Sequence, residues 1–175
     1  MKKLFFPIVG IVLIAASAFT VIVSQDWKIA DNYTVKFSGG DPSGEFKGLK
    51  GVVNFDPADP AAGKFDVTVD VATINTGNGM KNTHAKSAMW FDAEKYPTIR
   101  FTSSSIGKSS NGQYEAKGTL EMHGVKKEIT VPFTFNDNTF AGTFEVNRMD
   151  YGINTAEPDH GAQKFKVDLN VPVSK

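Results

Sequence analysis

The chain is 175 residues long, 41% hydrophobic and 22% charged, with 19 Lys and Arg against 19 Asp and Glu and no cysteine. That size suits one domain with a sizeable core. The missing cysteine excludes a disulfide framework and a lipid-modified N-terminal Cys. Balanced charge gives no basic stripe of the kind that nucleic acid requires, so no nucleic-acid partner is expected.

Lys2 and Lys3 precede an apolar run over residues 4–23, which reads as a secretory signal or a membrane anchor. Ala16-Ser17-Ala18 fits a small-x-small cleavage site, whereas the run continuing to Val23 fits retention. Both readings export the rest of the chain, because the two lysines hold the extreme N-terminus in the cytoplasm. The expected organisation is a signal peptide or anchor over 1–24 and one domain over 25–175. Its expected place is periplasmic or secreted, or anchored to the inner membrane through residues 4–23.

From Trp27 onward the dominant period is two. Val35 and Phe37 alternate with Thr34, Lys36 and Ser38, and after a Gly-Gly-Asp-Pro turn a strand over 44–55 carries Gly48 and Gly51, which mark a bend or bulge. Residues 56–63 form a proline-rich loop. Phe65, Val67, Val69 and Val71 then share one face against Asp66, Thr68 and Asp70. Residues 75–79 read as a turn, and residues 84–91 read as a helix closed by Pro97.

Ile99 and Phe101 resume the strand pattern, and residues 103–112 read as a polar loop apart from Ile106. Leu120 belongs to the strand ending at the His123-Gly124 turn, and Phe133 and Phe135 to the next. Pro132 lies in that strand and cannot donate to a ladder, so it is expected at an edge or bulge. Phe144 lies on the following strand, residues 149–162 form a long loop, and Phe165, Val167 and Leu169 belong to the last strand.

Eight amphipathic strands with one helical insertion between the third and fourth predict an all-β, antiparallel up-and-down barrel, with a two-sheet sandwich as the alternative. The charged faces carry Lys117, Glu121, Lys164 and Asp168, which could not face lipid, so the apolar faces point inward. The candidate ligand-lining residues are Phe37, Phe65, Val67, Val69, Ile99, Phe101, Leu120, Phe133, Phe135, Phe144, Phe165, Val167 and Leu169. A barrel of eight strands is either filled by such side chains or holds one small ligand, and periodicity leaves both open. Met89, Trp90 and Phe91 join the candidates, either as a plug or as a lid.

Catalytic signatures are weak. His84, His123 and His160 form no HExxH pair, and without cysteine a metal site would need three separate segments to converge. More often such histidines pin loops. No G-x-S-x-G elbow occurs, and the aspartates lack the spacing of a calcium loop.

A set of short pieces occurs in order across residues 27–173: Trp27-Lys28-Ile29-Ala30, Phe46-Lys47-Gly48-Leu49-Lys50-Gly51, Asn75-Thr76-Gly77-Asn78, His84-Ala85-Lys86-Ser87, Trp90-Phe91-Asp92, Lys95-Tyr96-Pro97-Thr98-Ile99-Arg100-Phe101, Leu120-Glu121-Met122-His123-Gly124-Val125 and Asp150-Tyr151-Gly152-Ile153. In these the chain resembles the YceI-like family of polyisoprenoid-binding proteins. The resemblance implies a lipocalin-like extended barrel, usually exported, that encloses an isoprenoid lipid such as a quinone tail or polyprenyl phosphate, with no catalytic residue and no cofactor beyond that ligand. Ala85 and Trp90 depart from the family pattern and bear on the shape of the pocket mouth. A filled scaffold for a protein partner is the alternative, a hydrolase a more distant one, and a homodimer is compatible with either barrel.

Overall fold

Alternation gives each strand one apolar and one polar face, and a closed sheet buries all the apolar faces together without leaving an edge. The computed structural model describes residues 26–40, 42–159 and 161–175. The segment read as a signal or anchor, 1–24, and His160 lie outside them. The elements are β1 (Asp26–Ile29), β2 (Thr34–Ser38), β3 (Ser43–Asn54), β4 (Lys64–Asn75), α1 (Gly79–Lys86), β5 (Thr98–Lys108), β6 (Tyr114–Met122), β7 (Val125–Asn136), β8 (Thr139–Asn147) and β9 (Lys164–Ser174).

The sheet runs β1-β3-β2-β9-β8-β7-β6-β5-β4, and β4 pairs back onto β3 to close it. β1 and β2 occupy one barrel position, each lying between β3 and β9: Trp27 pairs with Val53 and Ile29 with Val173, while Val35 pairs with Phe46 and Leu169. The architecture is therefore the expected eight-stranded antiparallel barrel, with its first strand broken over residues 30–33. Gly48 and Gly51, at φ of 70° and 136°, accompany the register shifts of β3 against β4. A Cβ on Gly51 would stand 2.1 Å from the Asp66 carbonyl oxygen, so the bend requires glycine there.

The barrel has two unlike ends. At one, here the floor, β1 begins, β9 finishes, and short connections join β3 to β4, β5 to β6 and β7 to β8. At the other, the mouth, lie the connections over 39–42, 76–97, 123–124 and 148–163. The outer wall is polar: Arg100 Nε and Nη2 donate to the Asp66 carboxylate at 2.8 and 2.7 Å, holding that carboxyl below the usual carboxylate range, and Lys164 pairs with Glu145 at 3.0 Å.

Two elements differ from expectation, and Pro132 stands at an edge as expected. The helix spans Gly79–Lys86 instead of 84–91, because Asn78 caps it by accepting the Lys81 N–H, while Ser87 closes it with a bond from its own N–H to the His84 carbonyl. Residues 103–108 are strand: Ile106 is buried, the Ser103 hydroxyl accepts the Phe65 N–H at 2.8 Å, and a register shift between Ser103 and Ser105 takes up the extra residue. Pairing with β6, together with the Ser103 bond to β4, overrides the turn preference of serine. Pro132 is in a closed barrel, yet it occupies a local edge, since the ladder from β7 to β8 ends at Phe133 and Gly142.

Candidate functional site

The interior differs along the barrel axis in how its inward side chains pack. At the floor Phe55 has no exposed surface and its ring meets those of Tyr114, Phe133, Phe135 and Phe140 edge-on, at centroid distances of 5.0 to 5.5 Å. Each such pair adds about 0.5–1.5 kcal/mol beyond the area it buries. Trp27 closes the floor, its indole N–H donating to the Phe55 carbonyl at 2.8 Å.

Above that packing the barrel is hollow. A cavity of about 250 Å³ occupies the mouth half, many times the roughly 10–15 Å³ that one water requires. It is lined by Phe37, Phe65, Val67, Val69, Trp90, Phe91, Ile99, Phe101, Leu120, Phe133, Phe144, Phe165, Val167 and Leu169, which the structure brings together. Two of the sequence candidates stand elsewhere. Met89 is half exposed, because the chain turns after α1 and carries it to the outer side of the mouth. Phe135 lies below the cavity, against Trp27, Phe55 and Phe140 in the floor packing.

The polar residues of the lining are Lys36, Thr68, Thr76 and Arg148. Among the described residues it holds no carboxylate and no imidazole, and what this surface offers a molecule is the removal of hydrocarbon from water, worth about 0.8 kcal/mol per buried methylene.

The mouth is closed by two connections that meet. From the insertion after β4, Trp90 is buried, packs against His84 and lies under the Arg148 guanidinium, 5.3 Å from its ring centroid. From the connection after β8, the buried Arg148 donates through Nε to the Ala162 carbonyl, through Nη1 to those of Ile153 and Asn154, and through Nη2 to those of Glu157 and Pro158. Burial lowers its pKa, but an arginine starts so high that it stays charged. One side chain thus gathers a 16-residue connection over 148–163 into a fixed lobe.

The lobe inserts Ile153 into the cavity wall and buries Tyr151, whose phenol is pushed up to about 12 by burial and by the Asp150 carboxylate. The Asn154 N–H bonds the Met89 carbonyl at 3.1 Å, joining lobe to insertion. The Asn154 carboxamide is buried without a hydrogen-bond partner among the described residues. Its backbone, at φ of 46°, gives the physical reason for asparagine there. His123 Nδ1 lies 3.1 Å from the Tyr151 carbonyl, which can only accept, so the proton is on Nδ1. The Tyr96 ring packs on His123 at 4.7 Å. His84 and His123 therefore pin loops.

Sequence reasoning missed Val35, Phe46, Leu49, Ile74, Ile153 and Arg148, all of which line the cavity. Val35 follows the alternation of β2 and could have been found by it, whereas Phe46, Leu49 and Ile74 flank the register shifts between β3 and β4, where the alternation changes phase. Arg148 and Ile153 lie in a connection without periodicity, and no local signal marks them.

Comparison with known proteins agrees with this architecture. A UPF0312 protein of Vibrio cholerae is 31% identical over 177 residues, covering 95% of this chain and 91% of its own. Another, of Pseudomonas putida, is 31% identical over 158 residues, covering 85% and 78%. The crystal structure of BcnA from Burkholderia cenocepacia superposes with a TM-score of 0.78 at 28% identity, over 85% of this chain and all of that one. A polyisoprenoid-binding domain from Saccharophagus degradans, implicated in plant cell wall breakdown, shares the fold at a TM-score of 0.58 and 15% identity, over 83% and 95%. The model of the YceI-like domain matches residues 15–174, and with relatives this similar over most of their length the chain belongs to the YceI-like family.

Proposed function

We propose that this protein is a non-catalytic carrier, periplasmic or secreted, that encloses the chain of an isoprenoid lipid such as a quinone tail or polyprenyl phosphate. The observation that carries the proposal is the apolar cavity of about 250 Å³ above a packed floor. A prenyl chain is a flexible hydrocarbon, and each square ångström of it removed from water gains about 25 cal/mol, part of which is offset by ordering the chain. Such a ligand needs length and apolarity in its site, which the lining supplies, and few hydrogen bonds. The polyisoprenoid ligand of the Saccharophagus domain is of the same class. Asp26, the first described residue, lies at the floor end, opposite the mouth.

Delipidated protein mixed with geranylgeraniol should melt at a higher temperature, since a ligand that binds only the folded state stabilises it by mass action. Val167→Trp, which fills the cavity, should abolish that rise. A wild-type melting temperature indifferent to saturating prenol would overturn the proposal.

A further inference from the structure

The wall around the cavity is not hydrogen-bonded throughout. β7 pairs with β6 from Val125 to Phe133, and β8 pairs with β9 as far as Asn147. Between them the ladder holds only from Asn136 and Thr139 to Phe133 and Gly142. Above that point residues 125–132 of β7 and 143–147 of β8 pair only on their other sides. Pro132, with no N–H to give, stands at the first position past the last pair.

Across this seam the side chains are Ile129 and Val131 on β7 and Phe144 and Val146 on β8, and all four also line the cavity. The seam is therefore a stretch of wall closed by apolar side chains alone, continuous with the hydrocarbon-lined interior. The axial mouth is held differently. Opening it would break the hydrogen bond from the Asn154 N–H to Met89 and the Arg148–Trp90 stack. Parting residues 125–132 of β7 from 143–147 of β8 breaks no ladder pair, and at its upper end only the bond between His123 and the Tyr151 carbonyl.

We infer that the seam between β7 and β8 is the portal through which the ligand's hydrocarbon chain passes, the lidded mouth staying shut. This inference rests on the carrier reading. It assigns the portal to a linear apolar chain, because a slot between two strands admits a chain lengthwise and lets any part longer than the cavity lie along Ile129 and Phe144. In the register of the formed ladder carried upward, Thr130 faces Glu145 across the slot, and both side chains are exposed.

The chain has no cysteine, so introduced pairs react alone. In the full chain three pairs are bridged with a short bis-methanethiosulfonate: Thr130→Cys with Glu145→Cys across the seam, Thr134→Cys with Ala141→Cys on a formed ladder pair, and Met89→Cys with Thr155→Cys across the lid. Uptake of a fluorescent geranylgeranyl probe is followed by stopped flow. The seam bridge should slow uptake at least tenfold and reductant should restore it, while the ladder and lid bridges leave it within twofold of the unbridged protein. Restoration by reductant shows that the bridged protein was folded. Slowing by the lid bridge in place of the seam bridge, or wild-type uptake with the seam bridged, overturns the portal and leaves the carrier reading standing. Absence of probe binding by the unbridged protein overturns both.

Discussion

The floor and the mouth of the barrel are made of the same alternating strands and differ in what the strands point inward. At the floor Phe55, Phe133, Phe135 and Phe140 meet in T-shaped and tilted pairs within 4.5 to 5.8 Å, and three connections close the end. Toward the mouth Val35, Val69, Leu120, Val167 and Leu169 alternate with rings such as Phe37, Phe46, Phe91 and Phe165 around the cavity, and the two longest connections, 76–97 and 148–163, form the cover. One buried cluster fills the floor, while the other two are arranged around the cavity and leave it hollow. A cavity forfeits the contacts its lining would otherwise make, and a rigid aromatic floor offsets that loss.

If the division is real, substitutions at the two ends should differ in kind. The largest effect is expected from Phe55→Ala, which leaves a void among the rings and should cost about 3–5 kcal/mol in urea unfolding while the folded fraction still binds prenol. Equal loss of binding per folded molecule would break the comparison. Arg148→Met comes next. It removes the donor of five carbonyls at once and should cost roughly 1.5–3 kcal/mol, because bonds to a charged donor are worth that order singly and several are lost together but not additively. Proteolysis should then cut within residues 148–163 before the barrel strands.

Trp90→Ala acts on the cover and lining. Prenol affinity should fall about tenfold, equivalent to roughly 1.4 kcal/mol, with a smaller change in unfolding midpoint than Phe55→Ala produces. A larger change in stability than in retention would make Trp90 a plug. The smallest effect concerns Tyr151. Burial keeps its phenol protonated, so its folded pKa of about 12 lies above the ordinary 10.0. The stability it contributes is whole below pH 10.0 and is lost as pH rises through about 12. The stability difference between wild type and Tyr151→Phe should be flat below pH 10.0 and shift only above it.

The strands were legible because alternation reports which face of a residue is inward, and closure follows when every strand has such a face. Alternation says nothing of volume. Phe133 and Phe135 share a face two residues apart, yet one borders the cavity and the other lies beneath it. Packing against Trp27 decides this, and no pattern within β7 contains it. The helix was misplaced because its start depends on one side-chain bond, from the Lys81 N–H to Asn78, inside what reads as a turn. Met89 was grouped with Trp90 and Phe91 as an apolar triplet, but the turn after α1 sends it outward while its neighbours face in. Arg148 was invisible as a site residue, since its partners are backbone carbonyls that any sequence would supply.

The central claim is that the hollow half holds a prenyl chain. Its most direct test is organic extraction and mass spectrometry of the protein purified without detergent from its own host, beside Val167→Trp prepared in the same way. The expected result is an apolar prenyl lipid recovered with the wild type, near one per chain, and lost from the variant. Repeated recovery of empty wild-type protein, or equal lipid with the filled variant, would contradict it.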